Sequence, residues 1–305
     1  MAPTTPTLAR PAHVSSRTRR GWRITPWLFL IVPVALLLML TYLPVANMVY
    51  WSFTNWDGLD PEKDVVGWKN YIRIFTDPEI RQIFLVSAYY LVGAVVQLAL
   101  ALYFAVILSF RTRLANVFKG FLFFPYLVNG VAISIAFLFF FRPDGTLDAL
   151  LALLGVADPP LWLGDPGIAN YALAATSVWR YMGLNFVLFL GAIQSIPTDV
   201  YEAADLDGAT SWHKVRYIII PGIRPIIGLT AILAISGAIS VFEMPYIMTG
   251  GANGTKTFVI RTMELAFKYH KFGLASAMGI VLLLLVIVVT VIQKIVIKDE
   301  KVDLA

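Results

Sequence analysis

Six long apolar runs alternate with polar stretches along this chain, over residues 27–50, 83–108, 121–141, 168–190, 226–248 and 274–297. Each is near the ~20 apolar residues an α-helix needs to cross roughly 30 Å of hydrocarbon. The pattern predicts an all-α integral membrane protein with six transmembrane helices. Pro33 and Pro44 are expected to kink the first span. The leucine-rich stretch 146–154 is too short to cross, and a helix lying at the outer interface is expected there. A short helix is also expected at the end of the polar loop 51–81.

Composition agrees with the pattern. The chain is 58% hydrophobic and 14% charged, with a mean hydropathy of +0.74. Soluble domains have about a quarter of their residues charged. Three segments follow: a basic, disordered tail over 1–23, a six-span domain over 24–298, and a charged tail over 299–305. The first apolar run is longer than a signal-peptide core, and no small-residue cleavage site follows it.

Six spans put both ends on one side. Lys and Arg are more frequent in the tails, in the short loop with Arg111, Arg113 and Lys119, and in 197–225 than in the other loops. Acidic residues run the other way. The positive-inside rule therefore puts both ends in the cytoplasm. Lys256, Arg261, Lys268 and Lys271, in the last outer loop, run against this trend. The net charge of +5 reflects these loops and gives no ground for nucleic-acid binding.

Enzyme signals are poor. There is no cysteine, and His13, His213 and His270 are too scattered to hold a metal. The run Gly-Gly-Ala-Asn-Gly-Thr-Lys-Thr at 250–257 fails as a phosphate-binding loop, because Lys256 does not follow a glycine. It reads as a turn.

Polar groups at membrane depth are more informative. Arg180 and Glu243 each cost roughly 2.5 to 3.5 kcal/mol at a helix centre. Such residues face a partner or a wet cavity, or snorkel to the interface. Arg180 fits either reading. Glu243 is followed by Pro245, which removes a backbone donor and can open the helix beside a cavity. The two are expected to share a water-filled cavity and to pair. Tyr126 and Asn129 open the third span, and Trp179, Tyr181 and Asn185 fall in the fourth. Ring faces with polar tips suit a sugar. Such rings also gather at membrane interfaces, the reading given to Trp27, Tyr42, Tyr50 and Trp51.

The connection 197–225 carries Asp199, Glu202, Asp205, Asp207, Lys214, Arg216 and Arg224. Two short helices are predicted. Thr198 is expected to cap the first, with Asp199 in its opening turn. Gly208 ends it in the left-handed conformation. Thr210 or Ser211 caps the second, which Pro221 interrupts. Glu202 and Asp205 share a face, and Ala203 and Ala204 are small enough for another protein to come close.

The spacing of Glu202-Ala203-Ala204, Gly208, Ile218, Ile220 and Pro221 resembles the cytoplasmic signature of permease subunits of ABC importers, with Ile220 where Leu is usual. YLPVANMVYWSFTNW at 42–56, GWKNY at 67–71, FPY at 124–126 and FEMPYIMTGG at 242–251 are similar to maltose-type sugar permeases. That family more often has Asp at position 243 and Pro at position 252, where this chain has Glu243 and Ala252.

The resemblance implies that the loop forms a coupling helix docked on a dimer of ATP-binding subunits. Glu202, Ala203, Ala204, Asp205 and Gly208 would carry that contact, with Glu202 paired to a basic residue. It implies a cavity shared with a second, different permease chain, near Tyr126, Asn129, Trp179, Arg180, Tyr181 and Glu243. It implies an extracytoplasmic solute-binding protein, an oligosaccharide substrate, no cofactor on this chain (ATP is bound by the partner), and a bacterial or archaeal inner membrane. Two alternatives stay open. One is a permease for glycerol phosphate or another polyol. The other is a membrane enzyme acting on lipid-linked sugars, which would need an acid–base or metal constellation.

Overall fold

The computed structural model describes residues 21–109 and 115–296. Residues 1–20 of the expected tail over 1–23, the whole expected tail over 299–305, and the loop carrying Arg111 and Arg113 lie outside the described residues. The chain divides into two units, residues 1–50 and 51–305.

In the first unit, α1 (Gly21–Leu37) runs through a widened π turn, Leu38–Tyr42, into α2 (Leu43–Ser52). Helix therefore begins three residues inside the expected tail. Pro33 sits within α1 without a break. The widened turn comes just before Pro44, which cannot donate to the preceding turn and crowds its carbonyl.

The second unit is helical, with one isolated bridge, Thr54 to Val65, among the described residues. Asn70 holds the loop end by donating to the carbonyls of Ser52 and Thr54 at 2.8 and 2.9 Å. The expected short helix is α3 (Lys69–Thr76). The second span is α4 (Pro78–Ser109). It buries Ile83, Val86, Tyr90, Ala94, Gln97, Ala101, Ala105 and Leu108. Steps of three and four residues keep these on one face. Alanines on that face let the neighbouring backbone approach closely.

The third span is not straight. α5 (Ala115–Leu127) and α6 (Gly130–Phe141) meet at 98°. Pro125 weakens the end of α5, and Asn129 starts α6 afresh by accepting from the Val131 N–H at 2.9 Å. Lys119, expected in a loop, lies on α5. The interfacial stretch forms α7 (Thr146–Leu153), with Leu150 and Leu153 exposed and Asp148 accepting from the Trp162 indole at 2.9 Å.

The fourth span, α8 (Ala169–Gln194), makes its most extensive contacts with α4. After it come α9 (Thr198–Leu206), α10 (Ser211–Lys214), a π turn at Val215–Ile219, and α11 (Ile220–Gly222). The π turn again comes just before a proline, Pro221.

The fifth span is α12 (Arg224–Ile239) followed by α13 (Glu243–Thr249). Its break falls at 240–242, before Pro245 and not at it. Pro245 is the third residue of α13, where its missing N–H would have had no helical partner anyway. Gly250, at φ +63°, ends α13. α14 (Phe258–Met263) and a π turn at Glu264–Lys268 lead to the last span, α15 (Phe272–Val296).

By length and apolarity, five helices suffice to cross a membrane, and the bent pair α5–α6 makes six spans. Buried apolar residues form three clusters along the bundle. One joins α3, the start of α4, α14 and α15 around Ile74, Ile80, Phe258 and Met278. A middle one includes Val86, Ile133, Leu173 and Met244. The third, around Ala101, Phe186, Phe189, Ile219 and Ile223, lies beside the α9–α11 connection.

Two of the four cations that ran against the charge rule have local acidic partners. Lys256 pairs with Glu264 at 2.9 Å and with Glu79 at 3.4 Å, and the buried Arg261 hydrogen-bonds Glu79. Desolvation pulls the Lys256 pKa down, but the hydrogen bonds and charges of Glu264 and Glu79 outweigh it and hold the group above its ordinary value. These two cations are neutralised where they stand.

Candidate functional site

Two places carry the polar residues singled out from the sequence. The first is the connection between α8 and α12. Pro197, not Thr198, occupies the cap position of α9, and no side chain caps that helix. Thr198 is already helical. Asp199 lies in the first turn, where its charge opposes the helix dipole. Gly208 has φ +75°, and the Ala209 N–H returns to the Ala204 carbonyl at 2.9 Å.

Thr210 caps α10 and exchanges hydrogen bonds with His213. His213 therefore has a capping role that the sequence reading missed. Asp205 is bound by Lys214 in an ion pair that ties α9 to α10. Glu202 and Ala203 are exposed, and Ala204 is half-buried. Among the described residues Glu202 makes no ion pair. Tyr201 and Ile196 anchor α9 on the apolar cluster beneath it.

The outward surface also exposes Leu206, Trp212 and Tyr217, each more than 60% accessible.

At Gly208 a Cβ would meet nothing within 4 Å, so only the backbone angle resists substitution. Gly208→Val should strain the turn by about 1–2 kcal/mol or more. Uptake should fall while the protein still inserts. Normal coupling of ATP hydrolysis to uptake in that variant would show that the turn does not matter.

The second place is a cavity of about 550 Å³ between α4, α8, α12 and the start of α13. Tyr126, Tyr181, Asn185 and Glu243 line it, as do Tyr90, Gln97 and Ser177, which the sequence reading missed. Gln97 carried a readable signal, a polar amide inside an apolar run. The Tyr90 hydroxyl is buried with no hydrogen-bond partner among the described residues. Tyr126 and Tyr181 stand with ring centroids 6.4 Å apart.

Arg180 and Glu243 do pair, Nη1 to Oε2 at 2.9 Å. The guanidinium also lies over the Tyr181 ring, 5.1 Å from its centroid. Only Glu243 of the pair faces the cavity. Trp179 packs on Phe137, at 5.1 Å between centroids, and Asn129 is spent capping α6. Neither of these lines the cavity.

Residues 97–302 match the family model of binding-protein-dependent transport system inner membrane components. The chain belongs to this family. It is therefore a multi-pass membrane component of a transport system. Its relatives include the probable ABC transporter permease protein YurN of Bacillus subtilis (strain 168), 32% identical over 89% of this chain and 95% of that protein. Another is the multiple sugar-binding transport system permease protein MsmF of Streptococcus mutans, 30% identical over 88% of this chain and 93% of that one. Among solved structures, a bacterial ABC transporter involved in import of the acidic polysaccharide alginate superposes with a TM-score of 0.81, covering 93% of this chain and 98% of that one at 17% identity. That likeness is one of fold.

Proposed function

We propose that this permease carries a sugar, an oligosaccharide by preference, through the cavity between α4, α8 and α12. The carrying observation is the make-up of that cavity: tyrosine rings beside two amides, two serine hydroxyls and one carboxylate. Sugars stack their C–H faces on rings and need hydrogen bonds for their hydroxyls. The sugar transport named for the Streptococcus mutans relative supports the same reading.

In this reading α9 docks on a separate ATP-hydrolysing subunit, and both ends of the chain face that side. A second permease chain completes the cavity, and a binding protein delivers solute from the opposite side. The glycerol phosphate alternative has less support, because the nearest cation, Arg180, is already neutralised by Glu243. A strain lacking this gene, tested for uptake of labelled oligosaccharides, monosaccharides, polyols and glycerol phosphate, decides the matter. Loss of oligosaccharide uptake, restored by the gene, is expected. Loss confined to a polyol or a phosphate ester overturns the sugar assignment.

A further inference from the structure

Spans three and five are both broken, and the two breaks meet at one charged pair. α5 ends at Leu127 and α6 begins at Gly130; α12 ends at Ile239 and α13 begins at Glu243. The far halves keep each other's company. α13 packs chiefly on α6, whereas α12 packs on α4 and α15, and α5 packs on α8. Met244 of α13 and Ile133 of α6 share one buried cluster. Each broken span is thus half attached to the α4–α8 bundle and half to its opposite number. Backbone breaks of this kind let a half-helix move without unfolding the rest.

Arg180 of α8 reaches Glu243 at the first residue of α13, at 2.9 Å. Gly130, the first residue of α6, lies against both. A Cβ there would fall on the Glu243 carboxylate and the Arg180 guanidinium. Glycine is what allows the pair to close against the start of α6. The Arg180 side chain is 12% accessible, and its Nε is buried without a partner among the described residues. Glu243 and Met244 line the cavity and open the half of span five that lies farther along the chain from the α9–α11 connection.

We propose that Gly130, Arg180 and Glu243 form a latch. It pins α6 and α13, moving as one piece, to α8, and so holds the cavity shut on the side away from α9. These are positioning residues for the transport step. The proposal rests on the transport role of the family and not on which solute is carried.

The chain has no cysteine, so a single one can report on the cavity. Gly237 lines the cavity, and a Cβ there meets nothing within 4 Å. In an importer otherwise free of cysteine, Gly237→Cys is exposed to a membrane-impermeant thiol reagent in vesicles of each orientation. With the latch intact, labelling from the side away from α9 should be slow. Glu243→Gln keeps the side-chain shape but loses the charge, and Gly130→Ala crowds the pair. Each should speed labelling from that side roughly tenfold or more, the shift that follows from losing one hydrogen bond between charged groups. Labelling from the α9 side should not rise.

The double exchange Arg180→Glu with Glu243→Arg should return labelling toward the parent rate. If Glu243→Gln reaches the membrane at the parent level and labels at the parent rate, there is no latch. Equal acceleration from both sides also overturns it, since that is general loosening. A double exchange that labels no more slowly than either single exchange removes the pairing. Glu243→Gln decides even if Gly130→Ala does not accumulate. No solute enters the assay, so its failure leaves the sugar assignment standing, and a different solute leaves the latch standing.

Discussion

Glu202→Lys abolishes solute uptake while the protein still reaches the membrane in normal amount. Glu202 is exposed in the middle of α9 and makes no ion pair within the described chain. Lysine is as good a helix former as glutamate, so α9 itself loses nothing. Tyr201 anchors α9 over the apolar cluster, and Asp205 is held by Lys214. The damage is confined to whatever meets the exposed face. If a basic residue of the ATP-hydrolysing subunit meets Glu202, reversal replaces a charge-assisted bond with repulsion. Losing one partner of such a pair costs about 2–5 kcal/mol, enough to reduce the docked fraction by well over tenfold. Membrane level by immunoblot, uptake by whole cells and co-purification of the ATPase separate the cases. Unchanged uptake, or an ATPase still held at normal occupancy, would mean that Glu202 is not part of the contact. Glu202→Gln, which removes charge without reversing it, should fall between parent and Lys.

The second large effect is on assembly. Gly183→Ala should destabilise the permease sharply, while Gly191→Ala on the same helix should be neutral or slightly favourable. A Cβ at Gly183 would land on the Leu122 carbonyl and come within 3.1 Å of the Phe123 Cα. These are backbone atoms of α5, so no side chain can swing away. Either α5 moves off α8 or α8 bends. Overpacking of this sort costs about 1–3 kcal/mol and occasionally more. At Gly191 a Cβ meets nothing within 4 Å, and alanine improves helix propensity by about 1 kcal/mol. Thermal unfolding of the two variants in the same detergent measures the difference. Equal melting temperatures would show that α5 and α8 do not approach this closely.

The physical reasons for what could be read beforehand are specific. The spans were legible because a hydrocarbon crossing imposes a length and a composition that little else imitates. The turn at Gly208 was legible because a left-handed residue favours glycine so strongly. The pairing of Arg180 with Glu243, separated by 63 positions, was legible because isolated charges are so costly at membrane depth.

Other features were hidden for equally definite reasons. In a soluble helix the buried face is marked by hydrophobicity. α4 is apolar all round, since one face meets protein and the other lipid. Its buried seam is marked partly by small residues such as Ala94, Ala101 and Ala105, a weaker signal. Trp179 and Asn129 were expected near the cavity from residue type. One packs on Phe137 and the other caps a helix that a straight third span would not contain. Pro245 marked the right region of the fifth span, but the break fell where packing on α6 required it.

The sequence by itself determined that this chain crosses a membrane about six times, which connection folds into short charged helices, and which charges need an answer inside the bilayer. Each follows from a local cost: desolvating a peptide group, straining a backbone angle, burying an ion. Only the tertiary structure decided where spans three and five break, which polar groups converge on the cavity, and that Glu79 answers Arg261 across 182 positions. Those outcomes depend on which surfaces meet. In a chain whose helices are apolar on every face, contact is selected by shape, and shape exists only once the bundle has closed.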